Sequence, residues 1–257
     1  MTRLSLLPIL LAMLTAQGNV AAKAPAAGVA VIELFTSQGC SSCPSADRLL
    51  SRLASDARFQ GKVIPLSFHV DYWNYIGWTD PFSSAEFSQR QRAYAQRAFR
   101  SGRVYTPQVV VNGRDECVGS REGLVRAKVA AALAQEPAAR VTLQPGPATA
   151  EGLPVKVSAR LTRSPGPGDL ELWVALYQDR LETKVGSGEN AARNLRNDRV
   201  VRRFVRAFTL SGSAGAERSA EVTLKLDKRW KKETLGVAAL LQDPKTMAIH
   251  GAAAERL

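Results

Sequence analysis

Apolar positions between residues 28 and 136 fall into blocks separated by polar turns. Val29-Ala30-Val31-Ile32-Glu33-Leu34-Phe35-Thr36 is a nearly unbroken apolar run rich in β-branched residues. That is the pattern of a strand buried on both faces, as in a parallel sheet. A polar turn, Ser37 to Pro44, follows, and then Ala46, Leu49, Leu50 and Leu53 recur at helical spacing. Lys62 to Val70 reads as a second strand and Asp71 to Pro81 as a polar-aromatic loop. Ser83 with Glu86 three residues on has the form of a capping box, opening a helix that runs to about Arg100. Its Arg90, Arg92, Arg97 and Arg100 read as a solvated face. Thr106 to Val111 predicts a third strand that begins at a proline, and Asn112-Gly113 a tight turn. Glu116 to Gly119 predicts a short returning strand. Ser120 to Leu133 predicts a helix capped by Ser120, with Leu124, Val125, Val129 and Leu133 on its apolar side. The predicted order is β-α-β-α-β-β-α.

The period then changes. Pro137, Pro145 and Pro147 mark a boundary, beyond which apolar and polar residues alternate in Val155–Ala159, Leu170–Leu176, Phe204–Leu210 and Val222–Leu226. Residues 235–241 form another apolar strand. No long helical pattern survives here, so the reading is an antiparallel β-sandwich of six or seven strands. The expected division is an α/β domain over residues 28–136 and an all-β sandwich-like domain over residues 140–257.

The first residues read as a targeting segment. Arg3 is a minimal basic start, Leu4 to Leu14 an apolar stretch of suitable length, and small residues follow from Ala16 to Ala27. Cleavage after Ala22 gives residues 1–22 as a signal peptide, and an uncleaved anchor is the alternative. The expected location is periplasmic or secreted. The 257-residue chain carries a net charge of +12, and loss of Arg3 leaves +11. The basic residues are scattered, and export argues against nucleic acid as a partner. Peripheral contact with an anionic membrane, or with acidic proteins, fits better, beside the plainer reading of a basic soluble surface.

Cysteine usage sharpens the picture. Of Cys40, Cys43 and Cys117, the first two are three residues apart. A disulfide across so short a loop removes little chain entropy, so the pair is a poor staple and a better reagent. Pro44 lacks an N–H and is tolerated only in the first helical turn, which sets the helix start near Ser41–Pro44. Cys40 then sits at a helix tip, where backbone donors favour a thiolate, and Cys43 lies within reach to close the disulfide. Cys40 is assigned as the attacking sulfur and Cys43 as the resolving one. Glu33, an acid in a buried strand, needs a job or a partner. It is a candidate to take the proton of Cys43, and an ion pair is the alternative. His69 and Asp71 end the second strand at the same sheet edge. His69 could tune Cys40, join both cysteines in holding Cu(I), or be structural. Cys117 reads as a small buried apolar residue, with a mixed disulfide or an intermolecular link as the alternative. The loop from Gly186 to Arg206 is dense in polar and cationic groups, including Glu189, Asn190 and Arg193. It is expected to fold back over the face near Cys40 and shape access, or else to be an exposed loop.

The stretch Phe35-Thr36-Ser37-Gln38-Gly39-Cys40-Ser41-Ser42-Cys43 resembles the active-site turn of thioredoxins and glutaredoxins. It differs in having no Trp before Cys40 and in the Ser41-Ser42 dipeptide. Four segments together resemble a secreted bacterial family catalogued as domain of unknown function twelve twenty-three. They are Leu34 to Pro44, His69-Val70-Asp71-Tyr72-Trp73 through Gly77-Trp78, Tyr105-Thr106-Pro107-Gln108, and Gly188-Glu189-Asn190. The resemblance implies a thioredoxin-like N-terminal domain with a β-rich extension. It implies a cis bond before Pro107 beside the cysteines, with Thr106 offering its backbone to substrate, and an ordinary trans proline opening a strand is the alternative. Trp73, Asn190 and Arg193 are the corresponding candidates for contact with substrate. The functional expectation is a thiol–disulfide oxidoreductase acting on protein or small thiols, without a cofactor or bound metal and with an unidentified recycling partner. A soft-metal delivery protein and a non-catalytic binding module are the alternatives.

Overall fold

The computed structural model describes residues 28–257, and the expected signal peptide, residues 1–22, lies outside them. The first half contains β1 (Ala30–Thr36), α1 (Cys43–Ser55), β2 (Val63–His69), α2 (Ala85–Ala93), β3 (Gln108–Val111), β4 (Asp115–Val118) and α3 (Glu122–Leu133). The second half is built of strands: β5 (Ala139–Pro145), β6 (Leu153–Leu161), β7 (Asp169–Gln178), β8 (Leu181–Lys184), β9 (Asn194–Asn197), β10 (Val200–Ser211), β11 (Glu217–Leu224), β12 (Leu235–Gln242) and β13 (Ile249–Arg256).

The architecture is mixed α/β, with few helices and one large sheet in the order β13-β12-β7-β10-β2-β1-β3-β4. β1 runs parallel to β2, from Ala30 opposite Val63 to Thr36 opposite His69, and antiparallel to β3. Alternation along β1 divides its side chains between two layers. Ala30, Ile32 and Leu34 pack with Leu49, Leu50 and Leu53 of α1 and Val125 and Val129 of α3. Val31 and Phe35 pack on the opposite face with Phe87 of α2 and with Tyr94.

The halves meet edge to edge. Val200 of β10 pairs with Ser67 of β2, and the Ser67 N–H donates to the Arg199 carbonyl at 2.8 Å. The apolar layer beneath α2 runs on across this seam into Ala175, Tyr177, Val201, Phe204, Ala238 and Leu240. A separate three-stranded sheet, β11-β6-β5, lays Val155, Val157 and Ala159 against Leu172, Val174, Leu176 and Val237 of the large sheet. The small ribbon β8–β9 belongs to neither.

Several expectations need correction. α2 is capped by Ser84, whose hydroxyl accepts from the Glu86 N–H at 3.2 Å, and a π turn over Tyr94–Ala98 replaces its last stretch. Arg90 is buried, not solvated, because it fills a slot between Phe68, Tyr94 and Phe204 at 5.6, 5.2 and 4.5 Å. Ser120 does not cap α3, which has no side-chain cap. Leu124 is 46 % exposed because Val125, Val129 and Ala132 define the buried stripe and Leu124 falls outside it. The second half has nine strands, not six or seven. β5 hides in the proline-rich stretch, and the four-residue strands β8 and β9 are too short to show a period.

Candidate redox site

The site grows out of the turn between β1 and α1. The Cys40 N–H bonds to the Ser37 carbonyl at 3.1 Å and the Cys43 N–H to the Cys40 carbonyl at 3.2 Å, winding the chain so that Cys43 opens α1. Cys40 and Cys43 are joined in a disulfide, and the Ser42 hydroxyl lies 3.3 Å from the Cys40 sulfur. Pro44 sits in the first helical turn, which contains no acidic residue of its own.

Two loops hold the turn from opposite sides. On one side Trp73 bridges it to the proline segment. Gly39 lies against the Cβ of Trp73, and the Trp73 indole N–H donates to the Thr106 hydroxyl at 2.7 Å. The Thr106–Pro107 bond is cis, and the Pro107 carbonyl accepts from Gly119 at 2.8 Å. On the other side lies the tip of the β8–β9 ribbon, residues 185–193. Asn190, fully buried, donates its amide to the carbonyls of Gln38 at 2.8 Å and Cys40 at 2.9 Å. Arg193 reaches this group through Asn190, donating to its side-chain oxygen at 2.9 Å. The Glu189 carboxylate accepts from the Ser41 N–H at 2.9 Å, and that bond holds the acid below its ordinary pKa. The result is a covered pair: Cys40 is 1 % exposed and Cys43 is 0 % exposed.

Next to the turn lies a buried polar cluster of which the sequence singled out His69 but not its partners Asp80 and Asp47. Thr36 and His69 are register partners on β1 and β2, and so share a face. His69 Nδ1 is 2.7 Å from Asp80 Oδ2, which also accepts from the Gln38 N–H at 2.8 Å. Burial works against protonation of His69, but Asp80, and after it Asp47, hold its pKa above the ordinary value. Burial would also raise Asp80, and the facing imidazolium brings it below its usual range. Asp47, one helical turn beyond Cys43 on α1, is buried, and that burial lifts its pKa to about 6 against the opposing pull of His69. Among the described residues Asp47 Oδ1, His69 Nε2 and Thr36 Oγ1 have no hydrogen-bond partner. Asp47 did leave a trace in the sequence: it is an acid at i+4 from Cys43 and i−3 from Leu50, on the apolar stripe of its own helix.

Glu33 is not brought to the cysteines. It points with Val31 and Phe35 to the α2 face, where Arg90 holds it with two bonds, at 2.5 and 2.9 Å, and the Tyr94 hydroxyl adds a third. Its contacts are those of the ion-pair alternative. Among the described residues no group of three or more His, Cys, Asp or Glu is arranged to hold a metal, and His69 is committed to Asp80. Cys117 is free and packs in the α1–α3 layer.

The fold and site thus define a mixed α/β protein with a covered Cys-x-x-Cys disulfide at a helix start. Residues 31–242 match the family described as protein of unknown function (DUF1223), and the chain belongs to that family. It is similar to a crystallographically solved protein of Agrobacterium tumefaciens, with 29 % identity and a TM-score of 0.70 over 91 % of this chain and 96 % of that one. It also shares the fold of HBP35 of Porphyromonas gingivalis, with 14 % identity and a TM-score of 0.64 over 90 % of this chain and 76 % of that one. No curated protein matches the chain significantly.

Proposed function

We propose that the protein is an exported thiol–disulfide oxidoreductase, periplasmic or secreted, in which a thioredoxin-like unit over residues 28–136 carries the redox pair and the β-rich half from residue 140 supports and covers it. The observation that carries this reading is the Cys40–Cys43 disulfide at the first turn of α1. So short a bridge contributes little as a staple, and its position gives a freed Cys40 thiolate the backbone donors of a helix start. The strand order β2-β1-β3-β4, with the first two parallel, supports the thioredoxin-like part.

Cys40 takes the role of the sulfur that exchanges with substrate, and Cys43 that of the resolving thiol. Resolution requires Cys43 to lose a proton inside a dry site. Asp47, with its raised pKa, takes the role first considered for Glu33: it accepts that proton, while Asp80 orients His69 beside it. Thr106, Pro107 and Trp73 form one wall of the substrate approach. The substrates are protein or small thiols, and a separate recycling partner restores the pair. The strongly basic balance, +12 for the full chain and +11 once Arg3 is lost, suits peripheral contact with an anionic membrane.

The direct test is turnover. The mature protein should catalyse disulfide exchange in a model dithiol peptide, and Cys40→Ser and Cys43→Ser variants should each abolish it. Equal rates with wild type, either variant and buffer would reject the enzyme reading in favour of a passive binding module.

A further inference from the structure

We infer that the 185–193 tip is a clasp that closes over the disulfide, and that its Glu189 ties closure to the oxidised state of the pair; the inference rests on the thiol–disulfide reading above. Exchange begins when a thiolate of a dithiol substrate attacks the Cys40 sulfur. The Cys40–Cys43 bond breaks and its electron pair leaves on the Cys43 sulfur. The second substrate thiol, deprotonated, then attacks its own partner in the mixed disulfide and releases Cys40 as a thiolate. The dithiol loses two electrons and two protons, and the pair gains them. An attacking sulfur needs access to Cys40, and Cys40 is 1 % exposed. The tip, bonded to the backbone of Cys40 and Ser41, is the part to which we assign that opening.

The tip is built to move as a piece. It closes on itself through backbone bonds between Val185 and Arg193 and between Ala192 and Val185, both 2.9 Å. It hangs on a two-stranded ribbon that is part of neither larger sheet, so lifting it breaks no main ladder. What holds it down is a local set of contacts: Asn190 to the carbonyls of Gln38 and Cys40, Glu189 to the Ser41 N–H, the Ser187 hydroxyl to the Gly77 carbonyl, Gly186 and Gly188 against Trp78, and the burial of Val185, with the ribbon itself tied to the turn where Gln38 donates to Asn197 at 3.1 Å.

Glu189 makes the clasp sensitive to redox state. In the disulfide, Cys40 carries no charge and the carboxylate fills the donor field at the helix start without competition. After reduction a thiolate forms next to Ser41, and two anions compete for the same donors. The carboxylate therefore favours the oxidised, closed form. By reciprocity, closure lowers the tendency of the disulfide to accept electrons.

The test compares the wild-type protein with Glu189→Gln and Asn190→Ala, following both the midpoint in dithiothreitol buffers and the rate of reduction. Glu189→Gln keeps a side-chain oxygen and removes the charge, so its equilibrium should move toward the reduced pair by about two- to fivefold. Asn190→Ala removes two bonds to the turn and should speed reduction about tenfold. In the unaltered protein, amide exchange over Gly186–Arg193 should be faster when reduced than when oxidised, a readout that needs no variant. Unchanged midpoint, rate and exchange would overturn the clasp while leaving the oxidoreductase reading intact. A wild-type pair that never cycles would remove both.

Discussion

Asp47 shows how much a single buried acid can say. Its folded pKa, about 6, lies above the unfolded value of 3.8, so the folded protein binds the extra proton between those values. Stability falls as pH rises through that window, and the penalty is fully present above pH 6. Asp47→Asn should therefore stabilise the oxidised protein at pH 8, by at most about 3 kcal/mol, with the gain fading toward pH 4. Denaturant titrations at the two pH values check this. If Asp47 serves resolution, the same variant should slow release of the mixed disulfide, exchanging activity for stability. Glu33 behaves differently. Arg90→Met would strand its carboxylate among Phe35, Phe68 and Tyr94 and should cost about 3–5 kcal/mol. Because this pair lies on the opposite face of the sheet from α1, the Cys40–Cys43 midpoint should not move. At this scale the local signals were legible: both cysteines, Pro44, and the burial of Glu33. Their partners were not. Arg90 is 57 positions from Glu33, and a periodic pattern does not reveal which arginine of an amphipathic helix will turn inward.

Among elements, those with a strong period were readable. β1, α1, β2 and α3 follow apolar spacing that one layer of packing dictates. The β8–β9 ribbon was not readable, since four-residue strands carry no period and the ribbon's tip is held by backbone carbonyls that any sequence would supply. Its polar density did mark the loop as unusual, and Asn190 accounts for it: a fully buried amide that satisfies two carbonyls of the turn. The tip also depends on Gly188, which has a positive φ of 75° and would place a Cβ 3.3 Å from that of Trp78. Gly188→Val should loosen the clasp and raise the rate at which dithiothreitol reduces the pair, with little loss of global stability. A rate equal to wild type would mean that the tip does not limit access.

For the molecule as a whole, the change of period near residue 140 is real in sequence, yet the large sheet runs through it. The β2–β10 seam and the shared layer of Phe68, Phe204, Tyr177 and Leu240 tie the halves together. Period reports which elements a segment forms, not which edges they will find, so this continuity could not be read from the chain. Residues 28–136 expressed alone would expose the β2 edge and the apolar residues beneath α2. That fragment should aggregate or show a broad, non-cooperative melt, whereas residues 28–257 should unfold in one transition. Calorimetry on both distinguishes the cases, and a sharply melting fragment would show that the seam is dispensable.

The central claim concerns electrons at one pair of sulfurs. The mature protein, equilibrated in graded thiol–disulfide buffers, acid-quenched, alkylated and weighed by mass spectrometry, should show a single reversible two-electron step confined to Cys40 and Cys43, with Cys117 unchanged throughout. A pair that stays oxidised under strongly reducing conditions in the folded protein, or opens only on unfolding, would contradict the account and leave the disulfide a structural bridge.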